Sequence, residues 1–174
     1  LFRSGQQLVN TVVPWGTPLL LVPPTEESRR FFATGRTIVT PVFVGARSGK
    51  PRFAVVVPAM SGSRVAYSVG ISTETNQLAE LLRQQELPAQ WVSSISDAAG
   101  NIAARSTNAE QYVGKPTNPE VSRRLLAAPE GAFESVTKEG VPALLVYSRS
   151  PVSSWTVAIA IPLSDLQSDL KRNL

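Results

Sequence analysis

The chain says nearly the same thing twice, with the second copy displaced by a little over ninety residues, and this repeat limits its possible folds more than any other feature. Gly5 before Leu8 and Val9 recurs as Gly100 before Ile102, Ala103 and Ala104, an offset of 95. A capped helix start follows in each copy. Thr25 with Glu26 and Glu27 leads into Phe31 and Phe32 and is expected to stop at Gly35; Asn118 with Pro119 and Glu120 leads into Leu125 and Leu126 and is expected to stop at Gly131. Gly49-Lys50-Pro51 and Gly140-Val141-Pro142 each open an apolar strand, and the strand from Val65 to Ile71 matches the one from Trp155 to Ile161. Solenoid repeats run roughly 20 to 50 residues. A longer period makes each copy a small domain-like module.

Composition excludes more than it names. At 174 residues, 43% hydrophobic and 17% charged, the chain can bury a core and reads as globular. It has neither an apolar run of about 18 residues nor a basic-then-apolar secretion signal. It opens at Leu1, inside what reads as a strand, which points to a piece of a longer protein. The absence of histidine and cysteine removes Ser-His-Asp and Cys-His catalysis, histidine-ligated haem, ordinary zinc sites, flavin-cysteine adducts and thiol redox centres. No catalytic, metal or cofactor site is therefore expected.

Charge separates the copies. Residues 1–85 carry nine Lys and Arg against four Asp and Glu, a net of +5; residues 86–174 carry eight against nine, a net of −1, together the +4 of the whole chain. The basic excess, including Arg29, Arg30, Arg36, Arg47, Arg52 and Arg64, is scattered, with no dense run and no series of stacking aromatics, so nucleic acid is not the expected partner. An anionic small molecule such as a carboxylate, held by one or two guanidinium groups, fits better.

Along the chain, β-branched runs at 36–44, 52–58 and 64–71 separated by Ser48-Gly49 and Ser61-Gly62-Ser63 predict an antiparallel meander. Thr73 to about Gln85 reads as an amphipathic helix through Leu78, Leu81 and Leu82. The segments 91–96 and 101–105 form a hairpin about Asp97-Ala98-Ala99-Gly100, a turn whose Asp bonds its own backbone and whose Gly takes positive φ. Strands follow at 132–138, 142–149 and 154–161. Leu163, Leu166, Leu170 and Leu174 then make one stripe on a terminal helix. The expected class is α+β: two tandem modules, residues 1–85 and 86–174, each a five-stranded antiparallel sheet of the PAS kind with flanking helices.

At this point a family resemblance enters. The run from Trp91 to Ser106, Val113-Gly114, EGAFESVTKEG and YSRSPVSSWTVAIAIP, ending at Pro162, resemble the membrane-proximal half of a double Cache domain. GQQLVNT, TGRTIVTPVFVGARSGKPRFAVVVPAM and LAELLRQQELPAQW resemble its membrane-distal half, most closely in bacterial sensor histidine kinases. The family's long N-terminal helix has no counterpart here. The Arg-x-Trp-Tyr pattern of its amino-acid-binding members is also absent, so the resemblance does not imply an amino-acid ligand. It implies a periplasmic, non-catalytic sensor domain of an inner-membrane receptor, coupled to a cytoplasmic kinase or cyclase and homodimeric when intact. The sensor region of a chemoreceptor or diguanylate cyclase, a structural or protein-binding module without a small ligand, and a cytoplasmic cofactor-binding PAS pair holding a noncovalent flavin are the alternatives.

Such receptors usually hold their ligand in the distal module, which carries the basic excess here. Tyr67 stands where the repeat keeps Val157, and a buried tyrosine hydroxyl needs a partner, in the ligand or in the core. Arg36 and Arg52 begin neighbouring strands and are expected to converge at one end of the sheet. Trp15, between Pro14 and Pro18, is expected to cover or plug the pocket. The candidate ligand-binding residues are thus Tyr67, Arg36, Arg52 and Trp15. The terminal leucine helix is expected to transmit the signal toward the membrane.

Overall fold

The computed structural model describes residues 2–3 and 5–172; Leu1 and Leu174 of the sequence reading lie outside them, as does the side chain of Leu170. The first sheet contains β1 (Phe2–Arg3), β2 (Gln6–Gln7), β3 (Ile38–Val39), β4 (Phe43–Val44), β5 (Pro51–Ser61) and β6 (Arg64–Glu74). The second contains β7 (Val92–Ser96), β8 (Ile102–Arg105), β9 (Glu130–Val136), β10 (Pro142–Arg149) and β11 (Thr156–Pro162). Helices α1 (Glu26–Thr34), α2 (Asn76–Arg83), α3 (Ala109–Tyr112), α4 (Pro119–Ala127) and α5 (Leu163–Arg172) join and flank them. The first sheet runs β2-β1-β6-β5-β3, the second β8-β7-β11-β10-β9. With β3 and β4, which both pair with β5, counted as one interrupted strand, each sheet has the order second, first, fifth, fourth, third strand of its copy. Strand β1 pairs antiparallel with β2 and β6, β5 with β3 and β4, β7 with β8 and β11, and β10 with β9 and β11. The two-sheet α+β architecture is as the sequence predicts.

The first sheet has six strands where five are expected, because its third strand is interrupted between β3 and β4. Pro41 has no N–H to give the ladder. The next N–H, of Val42, donates instead to Asp97 Oδ2 at 2.8 Å. By contacts the chain divides into two units, Leu1–Thr40 with Ala54–Ser72, and Pro41–Phe53 with Thr73–Leu174.

In the first unit, α1 forms where local chemistry closes both of its ends. Thr25 Oγ1 accepts the Ser28 N–H at 3.1 Å, and Gly35, at φ 61°, donates its N–H to Phe31 O at 2.9 Å. Phe31 is the buried residue of this helix. Its aromatic neighbour Phe32 meets it edge to face.

In the second unit, α4 starts as read from the sequence, with Asn118 Oδ1 accepting the Glu120 N–H at 3.0 Å and Pro119 in the first turn. It does not run to Gly131. It ends at Ala127, Ala128 is already extended, and Gly131 lies inside β9 opposite Tyr147. A Cβ at Gly131 would stand 3.2 Å from the Tyr147 ring, so the glycine serves close packing here, not a left-handed cap. Val121 and Leu125 of α4 pack on Tyr147 and Ala158, with Phe133 and Leu145 beside them. Ala79 and Leu82 of α2 pack against Ala104, with Leu78 and Ile95 beside them. The α2 helix is shorter than the periodicity predicts. Strand β6 continues to Glu74, and the Thr75 N–H bonds Pro51 O at 3.1 Å, so backbone pairing holds the expected N-terminus of the helix in the strand. At the C-terminal end, Leu163 and Leu166 of α5 are half-buried, and Asp165 Oδ2 accepts from Gln90 Nε2 at 2.8 Å and Trp91 Nε1 at 3.1 Å.

Candidate functional site

The four residues named from sequence do not form one cluster. Tyr67 is half-buried on β6, and the Arg3 guanidinium lies over its ring at 5.8 Å from the centroid. That distance is within cation–π range. The Tyr67 hydroxyl makes no hydrogen bond to another described residue, so it does not take the core backbone partner that a buried tyrosine usually finds. A Cβ on Gly35, at the end of α1, would lie 3.4 Å from Val65 Cγ2. Val65 and Tyr67 are two apart on one strand, so the end of α1 touches the face that carries Tyr67. Val55, Val57, Val69 and Ile71 leave the β5–β6 hairpin 40 to 79% exposed.

Arg36 and Arg52 do not converge. The register Ile38↔Val56 and Val39↔Val55 extends Arg36 toward Pro58, whereas Arg52 pairs with Phe43 near the start of β5. Antiparallel pairing sends the entry of β3 to the far end of its neighbour. Arg36 is exposed. Arg52 Nη1 lies 3.5 Å from Glu74 Oε1, and Lys50 Nζ 3.3 Å from Glu74 Oε2, so this cation is already opposed by a carboxylate. Trp15 neither covers nor plugs a pocket: it is 97% exposed. Its loop closes on itself, with the Thr17 N–H bonding Pro14 O at 3.2 Å and Gly16 at φ 85°. That is the geometry of a type II turn, which puts Trp15 at the tip.

Among the described residues the better-formed cavity is in the second unit and not, as expected, around Tyr67. It measures about 250 Å³ and is lined by Val92, Ile102, Thr117, Val121, Lys138 and Leu145 among others. The open faces of Val55, Val57, Val69 and Ile71 explain the difference, because they make the first hairpin a surface and not an enclosure. In the wall of the cavity, Arg105 is 4% exposed and grips Glu139 with both branches, Nη1 to Oε1 at 2.6 Å and Nη2 to Oε2 at 2.7 Å. Its guanidinium also lies 4.8 Å from the centroid of the Tyr112 ring. The hydrogen bonds from Arg105 hold the Glu139 carboxyl down at about 2, against an ordinary 4.5, despite the opposing effect of burial. Arg3 and this buried pair escaped sequence reading. Antiparallel extension of Phe2↔Ser68 sets Arg3 opposite Tyr67, and Arg105 meets Glu139 across 34 residues; neither relation leaves a local pattern. The described residues contain no cluster of acidic groups able to hold a metal ion, and no helix long and apolar enough to cross a membrane.

No protein-family model matches the chain, and no curated protein is similar to it in sequence. Solved structures are similar in fold. The extracellular domain of rpHK1S-Z16, a protein assigned as a histidine kinase, superposes with a TM-score of 0.71 at 19% identity, covering 95% of this chain and 69% of that one. The periplasmic sensory domain of the Campylobacter jejuni chemoreceptor Tlp1 gives 0.64 at 13%, over 83% and 59%. The ligand-binding domain of the Pseudomonas aeruginosa amino acid chemoreceptor PctB, in complex with L-Gln, gives 0.59 at 12%, over 79% and 56%. The chain thus spans between 56 and 69% of the length of these domains. Its fold is the Cache-like fold of extracellular sensor domains of histidine kinases and chemoreceptors.

Proposed function

We propose that this chain is the extracytoplasmic ligand-sensing region of a bacterial membrane receptor, a sensor histidine kinase, with residues 1–85 as the membrane-distal module and 86–174 as the membrane-proximal one. The observation that carries the reading is the paired sheet order, repeated in both copies and aligned with rpHK1S-Z16 over 95% of the chain. The receptor works as a homodimer, and α5 passes the signal toward the membrane. A ligand drives such a device only by binding two arrangements unequally.

In the distal module, the proposed contact is the face of Tyr67. Its hydroxyl has no partner among the described residues, and Arg3 supplies a positive charge over its ring. This pair suits a small carboxylate: one donor, one cation and an apolar surface. Arg36, exposed at the entry of β3, is the second cation of the module, whereas Arg52 is held by Glu74 and Trp15 is exposed at its turn.

A thermal-shift screen of the chain against carboxylates, amino acids, amines and nucleobases tests the reading. We expect a carboxylate to raise the melting temperature. Its dissociation constant should rise about tenfold in Tyr67→Phe, as loss of one hydrogen bond to a charged group predicts. A comparable loss is expected in Arg3→Ala, with little change in Trp15→Ala. Lack of stabilisation by any compound, or a hit indifferent to Tyr67 and Arg3, would count against this site.

A further inference from the structure

The cavity of the second unit lies between its sheet and the start of α4, and at about 250 Å³ it falls just below the range of about 300–1,000 Å³ for drug-sized ligands. Most of its floor is apolar, with Ser94 and the Glu139-paired Arg105 as the polar residues of the β7–β8 side. Val92 pairs with Ala160 and Ala160 with Leu145, so these three form one row across three strands, and Val121 of α4 and Val136 of β9 complete the lining. Polar groups collect on one side. Thr117 Oγ1 is buried and has no hydrogen-bond partner, a state that native interiors seldom leave to a hydroxyl. Asn118 uses its side-chain oxygen on the Glu120 N–H at 3.0 Å. Lys138 Nζ donates to Pro116 O at 3.2 Å, and none of the described ion pairs includes it. Arg105, the other cation of the lining, is already neutralised by Glu139. The positive end of α4 adds to the charge of Lys138 on the same side.

We propose that this cavity is a second ligand site, in the proximal module, for a short branched carboxylate. The apolar body rests on Val92, Leu145 and Val121, the carboxylate lies toward Lys138 and Asn118, and the Thr117 hydroxyl donates to it. The site is independent of the one around Tyr67. Its polar side is cationic, which selects an anion over an amine, and its volume suits a small molecule.

Methyl-resolved NMR of the whole chain, titrated with isovalerate and 2-hydroxyisovalerate, tests it; isopentanol and isopentylamine serve as uncharged and cationic probes of the same body. The two carboxylates are expected to shift the methyls of Val92, Val121, Val136 and Leu145 saturably, with the alcohol weaker and the amine silent. Thr117→Val should weaken binding about tenfold, the loss of one charge-assisted hydrogen bond. It should also raise the melting temperature of the ligand-free protein, because a methyl replaces an unpaired hydroxyl; a Thr117 that only supported the fold would lower it. Lys138→Gln, at an exposed position, should abolish the preference for carboxylate over alcohol. No saturable shift at these methyls up to about 10 mM, weaker than the range of specific sites, or affinities unchanged in both variants, overturns the proposal. Shifts confined to Val65 and Val69 beside Tyr67 would overturn it too, while leaving the distal site standing.

Discussion

Asp97→Ala is expected to lower the unfolding free energy by about 4 kcal/mol, on the basis of about 1–3 kcal/mol for each buried donor left without a partner. Asp97 is 3% exposed, and its carboxylate gathers four donors. Oδ1 accepts the N–H groups of Ala99 at 2.9 Å and Asn101 at 2.8 Å; Oδ2 accepts the Val42 N–H at 2.8 Å and Asn101 Nδ2 at 3.3 Å. The first two fold the β7–β8 turn, with Gly100 at φ 83°. The third ties that turn to a segment 55 residues earlier in the chain, at the point where Pro41 interrupts the strand. One side chain therefore supports a local turn and a long-range connection together. Alanine removes every acceptor, whereas asparagine keeps one side-chain oxygen and should cost about half as much. Urea unfolding followed by circular dichroism measures this through the midpoint, provided the slope is unchanged. A loss below about 1 kcal/mol, the net value of a single ordinary hydrogen bond, would mean that Asp97 does not organise this corner.

Glu139→Gln should have an effect nearly as large at neutral pH, because it leaves the charge of Arg105 buried without its counter-ion, a change that costs about 3–5 kcal/mol where burial is complete. Glu139 is partly open, with 29% of its side chain exposed, which places the expectation at the lower end. The pH dependence gives a second signature. The Glu139 carboxyl titrates at about 2 in the folded protein against 4.5 as the ordinary value, so its stabilisation is present in full above about 4.5 and is lost as pH falls toward 2. Wild-type stability should fall across that window more steeply than that of Glu139→Gln, which has no proton to gain there. Urea midpoints between pH 5 and 2 decide the matter, in the units of about 1.4 kcal/mol per unit of pKa difference. Parallel profiles would show that the Arg105 pair contributes no linkage.

What could be read from sequence was local. Thr25 and Gly35 delimit α1 because the side-chain acceptor and the left-handed carbonyl-capping residue lie within one turn of the bonds they close. The Asp97-to-Gly100 turn was legible for the same reason, and Gly62 at φ 60° closes the β5–β6 hairpin as its composition suggests. The repeat carried the two-sheet architecture, since each copy supplies its strands in the same sequence. The reading failed where a partner distant in the chain decides the outcome. Thr73 looks like a helix cap, but β6 continues past it because its neighbours pair with β5 and Glu74 meets Lys50 and Arg52. Gly131 looks like a helix stop, but its freedom is used for contact with Tyr147. For the candidate site, Tyr67 was found as an aromatic out of step with its repeat partner, whereas Arg3 needed the strand register to be recognised. Arg36 and Arg52 were adjacent only as strand entries in the sequence, and Trp15 was a candidate only until its turn geometry set it in solvent. The cavity beside Thr117 has no sequence signature, being built from five strands and a helix start.

PAS-like sheets serve on either side of a membrane, so the side on which this chain lies is the most direct test of its reading as an extracytoplasmic sensor. The chain has no cysteine, so a single Val152→Cys substitution, at a turn residue 86% exposed, creates one reactive thiol in it. In the parent protein expressed in bacteria, and with any cysteines outside this region replaced, a membrane-impermeant maleimide is added to intact spheroplasts and to lysed ones. Equal labelling in both is the result the account predicts. Labelling that appears only after lysis would place the chain in the cytoplasm and contradict it.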